Sequence, residues 1–261
     1  MILPRLASVT AAAAAISKLT PNVVIPLYIY PSTGAWSTYT NAISANPNVT
    51  FSVVINPANG PGTGTKPDSN WIAGVAQMNA FPNVKTLGYV HTSTATRPLT
   101  DVESDISTYA VWASYKNSDI HMDGIFFDEA PSTWSATSGT YMTTVAQSAR
   151  STLASGSTVV FNPGVVADAR FYNIADNIIF FENSLSAYSP ARLNDVSAAN
   201  RAKSTMVIHD FNGSGTDEWN IVDALKQAGY TGSFITTASD YNVIPSNWAG
   251  YSTYVSQAYG S

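Results

Sequence analysis

The chain has 261 residues and a formal net charge of −5, from 12 basic and 17 acidic residues, which excludes the basic footprint that nucleic acid phosphates require. It has no cysteine, which excludes disulfides, thiolate metal sites and thiol nucleophiles. Hydrophobic residues make up 45% but charged residues only 11%, well under the roughly 25% of an average soluble protein, so a large core must be covered by Ser, Thr, Asn, Gly and Tyr, a surface more usual outside cells.

The opening stretch MILPRLASVTAAAAAISKLTP reads equally as a weak secretory leader or as an Ala-rich helix capping the fold. Its longest unbroken apolar run, Ala11 to Ile16, is far short of the ~20 residues that cross a bilayer, so no membrane span is expected. Residues 1–20 are therefore set apart from a single domain over 21–261. From Val23 onward, short β-branched and aromatic runs alternate with stretches of helical period, the pattern of βα units around a parallel sheet. Strands are expected at 23–31, 50–57, 84–92, 122–130, 158–164, 177–183, 205–211 and 232–238. Helices are expected to begin near Trp36, Asn70, Leu99, Gly139, Ala169, Pro190, Asp217 and Thr253. In TDVESDISTYAVWASY, Thr100 and Glu103 read as a capping box, while Val102, Ile106, Tyr109 and Ala110 recur at helical spacing. Eight such units without a break in composition predict one (β/α)8 TIM barrel, expected as a monomer. The longest irregular stretch, NPANGPGTGTKPDSN, follows the second strand. Its glycines approach a P-loop from Gly60, but Thr65 stands where the second Gly is required and Pro67 where Ser or Thr would bind magnesium, so no nucleotide or other cofactor is expected.

In a barrel the functional groups stand at the C-terminal ends of the strands, and side chains alternate between lumen and helix layer. The stretch MDGIFFDEAP ends an apolar run with Asp128 and Glu129, and FFEN repeats the pattern two strands on with Glu182. Burying a carboxylate costs several kcal/mol unless it is paired or used, and 12 Lys and Arg residues supply few partners, so Asp128 and Glu182 are candidate catalytic groups. Other strand ends contribute Tyr28, Tyr30, Asn56, Tyr89, His91, Asn162, His209 and Asp210. Aromatic platforms with amides and two carboxylates suit a sugar, whose ring faces are apolar and whose edges are hydroxyls. Each tyrosine is also a candidate packing residue, each histidine a candidate core residue, and Asn162 before Pro163 a turn former.

Taken in order, VVIPLYIYP, NPANGPG, LGYVHT, DGIFFDEAP, FNPG and FEN resemble the spherulin-4-like proteins, from about Val23 to the C-terminus. That family corresponds to glycoside hydrolase family 135, and the resemblance implies a (β/α)8 barrel acting as an endo-α-1,4-N-acetylgalactosaminidase on galactosaminogalactan-like polysaccharide, outside the cell or at its wall. It carries catalytic roles onto Asp128, Glu129 and Glu182. Asp128 is then the nucleophile or stabiliser, Glu182 the general acid/base, and Glu129 an orienting or tuning group, unless a 2-acetamido group of the substrate itself attacks and Asp128 orients it. Two rival readings are a non-catalytic polysaccharide-binding or wall protein, and a metal hydrolase using His91, Asp128, Glu129, His209 or Asp210. The second finds no HxH or HExxH spacing, so no metal is expected.

Overall fold

The computed structural model describes residues 19–153 and 158–260. Eight strands, β1 (Asn22–Leu27), β2 (Thr50–Ile55), β3 (Val84–His91), β4 (Gly124–Asp128), β5 (Thr158–Phe161), β6 (Asn177–Ser184), β7 (Ser204–His209) and β8 (Gly232–Ile235), pair in sequence order into a closed barrel. Every pairing is parallel, and β8 closes on β1 through Asn22 opposite Gly232 and Val23 opposite Ser233. Parallel strands buried on both faces need near-continuous apolar runs, and VVIPL in β1 and GIFF in β4 supply them, buried at every position. The expectation for residues 1–20 falls, except for Leu19 and Thr20, outside the described residues.

Among the described residues, six α-helices follow the strands: α1 (Ser37–Ala45), α2 (Ser69–Asn79), α3 (Leu99–Trp112), α4 (Ala136–Thr152), α5 (Gly215–Ala228) and α6 (Trp248–Gly260). The helices expected near Ala169 and Pro190 are instead 3-10 turns, Ala169–Asn173 and Pro190–Asn194. Neither segment carries an apolar stripe at helical spacing. Adjacent Phe171 and Tyr172 are buried in the first, and Leu193 with Val196 is all that the second buries before Asn200. The barrel is thus complete in its strands, while two of its crossovers are built from short turns.

Two local expectations need correction. The capping box at Thr100 and Glu103 does not form: Pro98, with ψ at 132°, ends the preceding loop, so α3 starts at Leu99 and Thr100 already lies inside it. Capping boxes occur at Ser135 with Ser138 and at Ser214 with Asp217. The first strand, expected through Pro31, ends at Leu27 because the amide of Tyr28 turns to the carbonyl of Tyr241 at 3.2 Å. One close approach depends on a glycine. A Cβ on Gly88 would lie 2.6 Å from the ring of Tyr109; without one, Tyr109 lies flat on β3 and donates to the carbonyl of Ile55 at 2.9 Å.

Glu218, in the first turn of α5, is only 2% exposed and accepts from Asn247 Nδ2 at 2.5 Å. Burial pushes its pKa up to about 7, against the pull of the Asn247 bond. The folded chain then binds this proton more tightly than the unfolded chain does. The resulting stability is full below the ordinary Glu value of 4.5 and is lost as pH rises through about 7. Glu218→Gln, which mimics the protonated acid, should melt above the parent at alkaline pH and together with it at acid pH. Thermal melts across that range check this, and an offset that ignores pH would remove the assignment.

Candidate active site

The C-terminal ends of the strands gather two carboxylates, three tyrosines and one amide. Asp128 is the last residue of β4 and sits opposite His91 of β3. Its face of β4 also carries Phe126, which stacks on Tyr89 at 6.4 Å between ring centroids. The hydroxyl of Tyr89 donates to Asp128 Oδ2 at 2.8 Å. Asn162, just past β5 and buried, donates with one side-chain nitrogen to both acids, at 2.8 Å to Asp128 Oδ1 and 2.7 Å to Glu182 Oε2. Those two lengths cap the separation of the bridged oxygens at about 5.5 Å.

Glu182 reaches the lumen by a different route from Asp128. In β6 the register slips between Ile179 and Phe181, so one extra residue is inserted before Glu182 pairs with Val207. Such a bulge flips the inside-outside phase of everything after it. Phe180 consequently stacks on Tyr230 at 4.9 Å, in the layer outside the barrel, and Glu182 turns inward. The two double-phenylalanine stretches look alike in sequence, but Phe126 faces Tyr89 in the lumen whereas Phe180 faces out, and the bulge then returns Glu182 to the side that Asp128 occupies. A strict alternation would have sent Glu182 out.

The fourth carboxylate oxygen, Glu182 Oε1, accepts from Tyr241 at 2.5 Å. Tyr241 comes from the connection between β8 and α6, and nothing in the sequence separates it from the other tyrosines of a chain that has 14. Tyr28 stands edge-on to both Tyr89 and Tyr241, at 5.7 and 5.8 Å, and completes an aromatic wall. Burial raises the pKa of Tyr28, Tyr89 and Tyr241, and the charges on Asp128 and Glu182 raise all three further. These phenols therefore remain neutral donors at any working pH. Burial also raises the pKa of Glu182. The bonds from Tyr241 and Asn162 pull it down, Asp128 adds to the rise, and His209 opposes it. A carboxyl held up in this way stays protonated beyond the ordinary carboxylate range, the state needed to donate a proton.

The remaining candidate residues spread around this centre. His209 ends β7 within electrostatic reach of Glu182, and its Nδ1 pairs with exposed Asp210 at 2.7 Å. Glu129 is exposed and, like Asp210, holds a left-handed φ of 51°. Its carbonyl is fixed by Thr92 Oγ1 at 2.9 Å and the amide of Thr94 at 2.8 Å, and its charge contributes to the shift of Tyr89. His91 is half-buried with Nδ1 enclosed and unpartnered, while its carbonyl accepts from Arg97 at 3.1 Å. Asn56 is engaged locally, accepting from the amide of Gly60 at 3.0 Å to close a turn. Tyr30 lies apart from the carboxylates, exposed on the rim, edge-on to Trp71 and bonded to Asp68 and Asn70. Among the described residues, no group of three or more His, Asp and Glu side chains is arranged to hold a metal ion.

The model of the spherulation-specific family 4 matches residues 22–255. The chain belongs to that family. Spherulin-4 of Physarum polycephalum is 35% identical over 163 residues, which is 62% of this chain and 45% of that relative, so the match spans under half of its length. The crystal structure of Aspergillus clavatus Sph3 in complex with GalNAc is similar with a TM-score of 0.86 at 31% identity, covering 91% of this chain and 98% of that one. A chitinase from Rhizomucor miehei (TM-score 0.54, 12% identity, 92% and 99% of the two chains) and the catalytic domain of a β-amylase from Paenibacillus polymyxa (0.59, 10%, 94% and 100%) share the barrel alone.

Proposed function

We propose that this chain is an endo-acting, retaining glycoside hydrolase that cuts polysaccharide containing α-1,4-linked N-acetylgalactosamine, of the galactosaminogalactan type. The observation that carries the reading is the pair Asp128 and Glu182, clamped by one amide so that their facing oxygens are no more than about 5.5 Å apart. That is close to the ~5–5.5 Å spacing of retaining glycosidases and below the ~6.5–9.5 Å that leaves room for an inverting water. The GalNAc bound in Aspergillus clavatus Sph3, which is 31% identical over 91% of this chain, supports the sugar.

In this reading Glu182 donates its proton to the glycosidic oxygen as the bond to the anomeric carbon breaks, and Asp128 attacks that carbon to form a covalent glycosyl ester. Water then attacks the same carbon, giving up one of its protons to Glu182 as the bond to Asp128 breaks, which restores both carboxyl groups. Attack by the substrate's own acetamido group is not available here. In an α-linked 2-acetamido-galactoside that group lies cis to the leaving oxygen and has no backside approach, so the protein must supply the nucleophile. Sized products from galactosaminogalactan, chitin, chitosan and galactan, offered separately, test substrate and class. Cleavage of the first alone is expected, and no cleavage of any would favour the polysaccharide-binding alternative. Proton NMR of the first-formed reducing end should show the α anomer, and initial β product would overturn the spacing argument.

The mouth of the barrel supports an extended substrate. Tyr30 and Val243 stand exposed on the loops after β1 and β8, and Val165 with Val166 stands exposed after β5, on the opposite side of the ring. A polymer crossing the centre between Tyr28 and Asp128 would meet apolar surface on both sides. Tyr30→Ala is expected to raise KM severalfold for polymer while leaving a trisaccharide unaffected, because a rim stacking contact is worth about 0.5–1.5 kcal/mol. An equal change for both substrates would place Tyr30 outside the binding track.

A further inference from the structure

Glu218 has no part in the proposed chemistry, yet the asparagine bonded to it belongs to the segment that delivers Tyr241. Residues 236–247 connect β8 to α6. Asn247 closes this loop at its base: Oδ1 accepts from the amide of Thr237 at 3.1 Å, and Nδ2 donates to the carbonyl of Ile235 at 3.0 Å and to Glu218 Oε1 at 2.5 Å. The amide of Ser246 adds a bond to Thr237 Oγ1 at 3.0 Å. Tyr241 stands between these clamped ends, with its carbonyl accepting from Tyr28 at 3.2 Å and its hydroxyl on Glu182 at 2.5 Å.

We infer that Glu218 is a positioning residue for Glu182: it holds Asn247, Asn247 fixes the base of the β8–α6 loop, and the loop sets the Tyr241 hydroxyl against Glu182. Both amide hydrogens of Asn247 are used, one on the strand end and one on Glu218. Removing the acceptor leaves an enclosed N–H without a partner, which is costly enough to drive rearrangement of the loop base. The loop has a second tie, through Tyr28, so loss of Glu218 should loosen the Tyr241 contact without abolishing it. Glu182 is faced by Asp128, His209, Asn162 and Tyr241. Of these contacts, only the Tyr241 bond depends on this loop. The consequence for turnover rests on the glycosidase reading above; the consequence for the ionisation of Glu182 does not.

Glu103, Glu129, Glu182 and Glu218 are the only glutamates in the sequence, so 13C labelling of glutamate carboxyls in the full chain gives a titration that resolves each. Tyr241→Phe should move Glu182 to higher pH, since a donor to its ionised form is lost. Asn247→Ala should move it in the same direction by a smaller amount, and should add nothing in the Tyr241→Phe background. Glu218→Gln keeps an oxygen to accept from Asn247 and should leave Glu182 as in the parent. Glu218→Leu fills the volume without accepting and should reproduce the Asn247→Ala shift, which also covers the case in which that variant does not fold. The alkaline limb of the pH–rate profile should follow the same order. Glu182 unmoved in both Asn247→Ala and Glu218→Leu, or moved as far in Glu218→Gln as in Glu218→Leu, overturns the inference. A parent that binds but does not cleave, with these shifts intact, overturns the catalytic reading and leaves the positioning role standing.

Discussion

Asp128→Asn and Glu182→Gln are each expected to lower turnover about 10³-fold or more, while both proteins stay folded. An amide cannot attack the anomeric carbon as Asp128 does, and it cannot donate and recover a proton as Glu182 does. Folding should survive because the surrounding bonds can be re-formed. Asn162 donates to one oxygen of each acid, and that oxygen remains in the amide. Tyr89 and Tyr241 donate to the other oxygens, and a phenol can rotate its proton away to accept from the new NH2 group instead. Glu182→Gln should also lose the cost of ionising a buried acid. The raised pKa of Glu182 means that its contribution to stability is present below the ordinary Glu range and is lost as pH rises through the folded value. The variant should therefore melt at or above the parent at neutral pH and converge with it in acid. Folded variants that cleave at the parent rate would remove the catalytic assignment, and a variant that fails to fold would make the carboxylate structural.

The barrel was legible because its strands are short apolar runs bounded by polar turns and buried on both faces. VVIPL and GIFF need no tertiary information to be read. The crossovers after β5 and β6 depart from the expected helices. The residues there pack through adjacent or isolated apolar side chains and form short 3-10 turns, one after β5 and three after β6. The misplaced cap at Thr100 has a related cause: a capping motif specifies a helix start only if the backbone upstream is free to leave the helix there, and Pro98 had already set the boundary.

The site divides along the same line. Asp128 and Asn162 stand at or just past ends of regular strands, where alternation predicts direction. Glu182 follows the same double phenylalanine as Asp128, but it turns inward through the bulge after Ile179, which sequence periodicity does not reveal. Tyr30 and Asn56 follow the opposite course. Alternation points them at the carboxylates, but β1 ends at Leu27 before its pattern reaches Tyr30, which stands on the rim instead, and Asn56 turns back onto its own loop. Tyr241 sits on an irregular loop with no period at all, so only the fold brings it to Glu182.

The second large effect is expected at Asn162. Asn162→Ala should lower kcat about a hundredfold, since a misplacement of about 1 Å between reacting groups costs that much. The side chain is fully committed: its nitrogen bridges Asp128 and Glu182, and its Oδ1 accepts from the amide of Gly164 at 3.0 Å. Without it Asp128 keeps the hydrogen bond from Tyr89 and Glu182 the one from Tyr241, and the burial and repulsion that raise the pKa of Glu182 lose one of the donors that counter them. The titration of Glu182 should move to higher pH, carrying the alkaline limb of the rate profile with it. The backbone at this position should hold, because the amide of Asn162 donates to the carbonyl of Phe127 at 2.8 Å and its carbonyl accepts from Ala130 at 2.9 Å, whatever the side chain. If the residue acts through the two carboxylates, the loss should be far from additive with Asp128→Asn, since a clamp has nothing left to align once the nucleophile is gone. Losses that add in full, or a rate profile that falls in height without moving in pH, would instead make Asn162 a residue of the strand end with no role in setting the pair.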